Sequence, residues 1–292
     1  MDLDFDQILH HYRESFVINE IADFCKKRWI SLFGKRVLRY DVRGTPLRIL
    51  GPAQVSDLLE RYSFIEPRSF YATSALYKEL ERRECVDDES NVLTYTPYWD
   101  IDNDPEKWRA TVEIVQEILD LLEREGIHES AYIMWTGRGM HVNIHQGSIS
   151  PEIVKKHGAL NVAWAVVEYI KGKLLGKLHD IREKHDSFKL RVDNEIKPKN
   201  LFSVPLSLHR QVNSVVVCIK PDDLCCFDPS WSNPGCYRHS KEWRRFSPGE
   251  SDYLVEKAIQ LYGGYPYPLR STRYRRKEPR VEDMIRKWLQ KR

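Results

Sequence analysis

The stretch that most constrains this chain is Tyr98-Trp99-Asp100-Ile101-Asp102-Asn103-Asp104. It comes after an apolar, β-prone run, Val92-Leu93-Thr94-Tyr95, and precedes a helix-like segment opening at Asp104-Pro105-Glu106. In a strand, side chains i and i+2 point to the same face. Asp100 and Asp102 are therefore expected to share a face, with Ile101 turned into packing on the other. Two like charges that close repel unless something positive stands between them. A hard divalent cation does this well, because Mg²⁺ and Mn²⁺ prefer carboxylate oxygen and often bind substrate phosphates too. A lone Asp-x-Asp reads more simply as a solvated acidic turn. Two stretches farther along the chain reverse that reading.

Gly137-Arg138-Gly139 forms a turn between the strand-like runs 131–135 and 142–145, with His141 at its exit. Glycines there allow close backbone approach, and backbone N–H groups can cradle an anion. Arg138 and His141 add charge-assisted donors for phosphate oxygens. Farther on, Asp193 ends the short run Leu190-Arg191-Val192-Asp193, and Pro205-Leu206-Ser207-Leu208-His209 comes after a polar gap. Asp193 would complete a set of three carboxylates, with Ser207 and His209, two apart, sharing a face beside it. Such a set describes a two-metal nucleotidyl-transfer site. One metal lowers the pKa of an attacking 3′-hydroxyl and the other clamps the triphosphate and its leaving group. Catalysis is then positioning and charge neutralisation.

In order, YWDIDND (98–104), WTGRGMHVNIH (135–145) and RVD with VPLSLH (191–193, 204–209) resemble the three signature motifs of the archaeo-eukaryotic primase superfamily. The likeness is to the archaeal and eukaryotic DNA primase small (catalytic) subunit. RSFYATSALYKEL (68–80) and SVVVCIKPDDLCCFDPSW (214–231) resemble the flanking segments, so the resemblance spans about residues 35–235. It implies an α+β primase catalytic core, with a mixed, mostly antiparallel sheet and flanking helices. Asp100, Asp102 and Asp193 would be catalytic, metal-binding carboxylates for Mg²⁺ or Mn²⁺. Thr136, Gly137, Arg138, Gly139 and His141 would hold the nucleotide phosphates, and Ser207 and His209 would sit by its triphosphate or sugar. The expected partners are a DNA template and nucleoside triphosphates, with a primase large subunit or a repair ligase as a protein partner. Two departures matter. Ser203 stands two residues before Pro205, where the family commonly has Arg, so a phosphate or template contact is either missing or supplied by Lys197, Lys199 or Arg210. Residues 103–135 hold no cysteine and only His128, so the zinc knuckle that many archaeal members carry there is absent.

The activity implied is primer synthesis or extension. One alternative is a repair polymerase that fills gaps at broken DNA ends from an annealed primer. Another, of a different class, is a nucleic-acid-binding homologue without turnover, against which all three carboxylates argue. Bulk charge does not decide among them, since 46 basic and 43 acidic residues leave a net +3.

Elsewhere the pattern predicts helix over 5–30, 105–125, 151–185 and 250–262, with a short helix over 56–62. Lys26-Lys27-Arg28 reads as a solvated helix end. Strands are expected over 36–42, 47–50 and 212–219, and 69–77 passes from strand-like to helix-like. One catalytic domain is expected over 1–269, with a basic tail or helix over 270–292. No apolar run approaches the ~18–20 residues of a membrane-spanning helix. The acidic start Met1-Asp2-Leu3-Asp4 is unlike a secretory leader, so a cytoplasmic protein is expected. The six cysteines form no dense framework. Cys225, Cys226, Cys236 and His239 cluster in sequence, but without a Cys-x₂-Cys pair; buried free thiols are expected there rather than zinc.

Overall fold

In the computed structural model, which describes residues 3–267, eleven strands are laid down in chain order. They are β1 (Ile30–Phe33), β2 (Val37–Leu38), β3 (Ser69–Thr73), β4 (Ala75–Tyr77), β5 (Val92–Tyr95), β6 (Tyr98–Asp102), β7 (Ala131–Trp135), β8 (Met140–Ile144), β9 (Arg191–Asp193), β10 (Leu201–Ser203) and β11 (Val217–Ile219). The helices are α1 (Phe5–His11), α2 (Ser15–Phe24), α3 (Ala53–Arg61), α4 (Trp108–Arg124), α5 (Pro151–His157), α6 (Ala159–Lys173), α7 (Leu175–Lys184) and α8 (Asp252–Tyr262). The tail expected over 270–292 lies outside the described residues.

The fold is α+β, and every strand pairing among the described residues is antiparallel. One sheet has the order β11-β7-β8-β6-β9, a second β10-β3-β1-β2, and β4 pairs with β5 alone. Alternation along β6 sorts its side chains between two environments. Trp99 and Ile101 are fully buried on the face covered by α4 and α6, where Trp99 Nε1 donates to the Val167 carbonyl at 2.9 Å. α4 meets that face with Ile114, Val115, Ile118 and Leu122, whose spacing makes one apolar stripe. Gly126, at φ +91, closes it. The other face of β6 looks toward the second sheet, where Phe202 of β10 stacks on Tyr98 at 5.2 Å.

Several expected elements break where tertiary packing intervenes. The helix expected over 5–30 is α1 and α2 with a turn between. Ile8, Tyr12, Val17, Ile21 and Phe24 are all buried, a stripe that two short helices satisfy as well as one long one. Lys27, at φ +60, then turns the chain into β1. Arg28 is no solvated helix end but 2 % exposed. Its guanidinium donates to the Phe24, Thr73 and Ser74 carbonyls, to Thr96 Oγ1 and to Gln146 Oε1, tying the two sheets together. The helix-like end of 69–77 is β4, because pairing with β5 overrides local propensity. Residues 151–185 make three helices, the first ending at Gly158 (φ +86). Strand 212–219 shortens to β11. Of 36–42 and 47–50 only β2 and an isolated Tyr40–Pro46 bridge are formed.

The expectation of buried thiols is also corrected: Cys225, Cys226 and Cys236 are exposed, and all six cysteines are free. Among the described residues no helix is long and apolar enough to cross a membrane.

Candidate active site

The register of the five-stranded sheet brings the first and third motifs side by side. Asp100 pairs with His141 of β8 on one flank and with Asp193 of β9 on the other. Directly opposed residues in antiparallel strands share a face, so His141, Asp100 and Asp193 form one transverse row. Asp102, two residues on, lies beside them opposite Arg191. The row faces the second sheet, whose Phe202 ring stacks near His141 at 6.4 Å.

Charge in the row is polarised. His141 Nε2 stands 3.1 Å from Asp100 Oδ1. Burial pushes the Asp100 carboxyl up, but the His141 imidazole, then Arg191 and Lys197, hold it below the usual carboxylate range. Asp193 moves the other way: burial raises it and repulsion from Asp100 adds to this, only partly offset by Arg191. The Arg191 guanidinium lies between two carboxylates, with Nη2 at 2.5 Å from Asp102 Oδ2 and Nε at 3.1 Å from Asp193 Oδ2. Among the described residues no three His, Cys, Asp or Glu side chains already close on one point as ligands. The donor set nevertheless suits a hard cation. It is all carboxylate, and Asp102 and Asp193 already converge on a positive charge, that of Arg191. His141 Nδ1 is buried without a hydrogen-bond partner among the described residues, which leaves capacity in the row.

The second motif folds as a tight turn between β7 and β8. Thr136 donates to the Gly139 carbonyl through both its N–H (3.0 Å) and its hydroxyl (3.2 Å). Neither glycine tolerates a side chain. A Cβ on Gly139 would stand 2.2 Å from the Ile101 carbonyl oxygen, and one on Gly137 (φ +103) would stand 2.9 Å from Ser214 Oγ. The turn is thus pressed between β6 and the hairpin that carries the third motif.

That hairpin, 206–216, runs from the second sheet into β11 and closes through a Leu208–Val215 bridge. At its tip His209 Nδ1 accepts the N–H groups of Gln211 (3.0 Å) and Val212 (3.1 Å), which places the imidazole proton on Nε2. Burial, then Arg138, Arg210 and Arg68, push the His209 pKa down to about 4, so the ring is neutral at neutral pH. None of these three arginines is ion-paired to a carboxylate among the described residues. Arg68 instead braces the hairpin through the His209 and Val212 carbonyls and Asn213 Oδ1. A groove of about 740 Å³ beside it is lined by Phe33, Lys35, Arg68, Arg210 and Gln211.

The structure therefore gathers Asp100, Asp102, Asp193 and His141 on one sheet face, and Gly137, Arg138 and His209 where two loops meet. Ser207 is placed differently. It is 1 % exposed, its hydroxyl accepts the Phe70 N–H at 2.8 Å, and it lies 3.4 Å from the Tyr12 hydroxyl. Its polar capacity is taken up by the framework. The reason is Leu206, whose φ of +59 reverses the chain just before it. Of the candidate phosphate contacts, Lys197 pairs with Glu195 and Lys199 with Asp87, whereas Arg210 stands by His209. Arg191 and Arg68 were not singled out from the sequence. Arg68 opens the RSFYATSALYKEL segment, and Arg191 alternates with Asp193, but neither spacing reveals its partner. His239 is committed elsewhere, with Nδ1 accepting the Cys218 N–H and Nε2 standing 3.0 Å from Glu20.

No protein-family model matches the chain, and no curated protein sequence matches it. Solved structures do. The polymerase domain of Mycobacterium tuberculosis ligase D, in complex with DNA, matches with a TM-score of 0.55 at 12% identity, covering 89% of this chain and 90% of that one. The AEP domain of the cyanophage S-2L primase-polymerase (PrimPol) gives a TM-score of 0.33 at 11% identity, over 76% of this chain and 97% of that one. The likeness to the ligase D domain is one of fold, carried over nearly the whole length of both chains.

Proposed function

We propose that this chain is a template-directed nucleotidyltransferase of the archaeo-eukaryotic primase superfamily, joining nucleoside triphosphates on a DNA template. The observation that carries the reading is the row Asp193-Asp100-His141 on one sheet face, with Asp102 beside it and an electropositive turn and hairpin next to it. The ordered motifs and the fold shared with a DNA-bound polymerase domain support the same conclusion.

Each residue then has a task. Asp100, Asp102 and Asp193 would hold Mg²⁺ or Mn²⁺, which supplies Lewis acidity to the attacking hydroxyl and neutralises the leaving pyrophosphate. The contact with His141 keeps Asp100 ionised. Arg191 neutralises Asp102 and Asp193 until that charge is supplied. Arg138 and Arg210 draw the triphosphate to the cleft, where their charges are otherwise unpaired. The turn around Gly137 and Gly139 allows close approach of its backbone. Neutral His209 donates Nε2–H to a phosphate or sugar oxygen, and Arg68 fixes the hairpin that aims it. We assign the catalytic domain to 1–269 and assign 270–292 to contact with nucleic-acid phosphates. Deleting that tail should weaken binding and flatten its salt dependence.

A second reading is favoured by the fold shared with a polymerase domain that belongs to a ligase: an end-filling polymerase that extends annealed primers and partners a ligase, rather than a primase bound to a large subunit. Supplying labelled nucleotides and Mn²⁺ or Mg²⁺ with either bare single-stranded template or an annealed primer separates the two. Product on bare template means a primase; extension of the annealed primer alone means the second reading. DNA binding without product on either substrate would sink the catalytic proposal.

A further inference from the structure

Outside the site just described, the clearest unassigned chemistry is a pair of thiols. Cys225 and Cys226 end a 3₁₀ turn, Pro221–Cys226, and both are exposed. In extended chain, neighbouring side chains point to opposite faces. Here the turn brings the two sulfurs to the same side, 3.6 Å apart. That is far beyond the ~2.05 Å of a disulfide bond. It is close to the separation of about 3.8 Å that two sulfurs take on a tetrahedral centre with metal–sulfur bonds of about 2.3 Å.

The remaining cysteines offer no such pair. Cys25, Cys85 and Cys218 are buried, and burial pushes the Cys25 thiol up to about 12 and that of Cys218 well above its ordinary value, whereas the Cys226 thiol is raised by its contact with Cys225. Cys236 is exposed, but no second sulfur lies within hydrogen-bonding range of it among the described residues. The surroundings of the pair are polar and open: Cys225 Sγ lies 3.8 Å from the Asp222 carbonyl, and Asp223 is ion-paired with Arg238 nearby.

We propose that Cys225 and Cys226 form a bidentate dithiol site for soft, thiophilic centres of the class of trivalent arsenicals. The inference is independent of the catalytic reading. With an organoarsenic(III) oxide the chemistry balances without any redox change. Each sulfur gives its proton to the departing oxygen, the arsenic–oxygen double bond is replaced by two arsenic–sulfur bonds, and one water leaves. The gain over a single thiol is that the second bond forms intramolecularly, which raises apparent affinity by about 10²-fold or more.

The test uses the full chain and phenylarsine oxide. Intact mass should show one arsenical per chain, with two fewer thiols titratable under native conditions. The adduct should survive excess monothiol and be released by a 1,2-dithiol. Cys225→Ser and Cys226→Ser should each weaken capture about 100-fold or more, whereas Cys236→Ser should leave it unchanged. Melting of the three variants should match that of the parent, since all three positions are exposed. An adduct retained at parental affinity in either single variant, release by monothiol, or no adduct on the parent chain would overturn the proposal.

Discussion

Among the described residues, two places bring a carboxylate, an imidazole and a guanidinium together, and they are finished differently. Glu20 of α2 is 1 % exposed. It receives His239 Nε2 at 3.0 Å, both terminal nitrogens of Arg244 at 2.8 and 2.9 Å, and the Trp243 indole N–H. His239 has its other nitrogen on the Cys218 N–H. Both Glu20 oxygens, both His239 nitrogens and both terminal nitrogens of Arg244 are engaged, and the cluster clasps α2 to the 239–244 segment. Asp100 and His141 are left open by contrast. The Asp100 side chain is 30 % exposed, His141 Nδ1 has no partner among the described residues, and the nearest guanidinium is shared by Asp102 and Asp193. The same residue types make a clasp where their bonding is complete and a candidate reaction centre where it is not.

Breaking each cluster should therefore have opposite consequences. Asp100→Asn should cut nucleotide incorporation by about 10³-fold or more while leaving the melting temperature almost unchanged. Glu20→Gln should do the reverse. It leaves buried donors facing a neutral amide and should cost about 3 kcal/mol of stability, read from urea midpoints, with activity per folded molecule preserved. Loss of activity in folded Glu20→Gln would erase the distinction.

Acid sharpens it further. The imidazoles of His145 and His209 are pushed by burial to about 4, below the ordinary 6.5. Between those values the unfolded chain takes up protons that the folded chain refuses, so stability should fall as pH drops from about 6.5 to 4. Despite burial, the bonds from His239, Arg244 and Trp243 hold Glu20 at about 2. Its contribution is present above its ordinary 4.5 and is lost only as pH falls from there toward about 2. Urea midpoints tracked against pH should show two successive declines. A flat profile from 6.5 to 4 would contradict neutral buried imidazoles.

The smallest expected effect is at Ser207. Ser207→Ala leaves the buried Phe70 N–H unsatisfied and should cost about 1–2 kcal/mol, with the KM for nucleotide unchanged. A raised KM without loss of stability would place the hydroxyl at the nucleotide instead.

Much of the fold is legible in the chain itself. Period-two alternation in 98–102 and the apolar stripe of 108–122 are local signals, and the strand and helix obey them. The Gly137-Arg138-Gly139 turn announces itself in the same way. What the sequence could not carry was pairing at a distance. That Asp193 lies opposite Asp100 is a property of strand register, and the Arg191 bridge between Asp102 and Asp193 depends on that register. Arg28 looks like a surface cation because its five acceptors come from four separate parts of the chain. The Ser207 hydroxyl turns into the framework after Leu206, whose positive φ no local signal announces. The thiols of Cys225 and Cys226 are exposed because they end a short surface turn that composition alone does not reveal.

The most direct test is single-nucleotide incorporation on an annealed primer–template with Mn²⁺ or Mg²⁺, comparing the parent chain, Asp100→Asn and Glu20→Gln at a temperature where all three are folded. The account predicts extension by the parent and by Glu20→Gln, and none by Asp100→Asn. Extension by Asp100→Asn at the parental rate would contradict it, because the open row on the sheet would then not be the reaction centre.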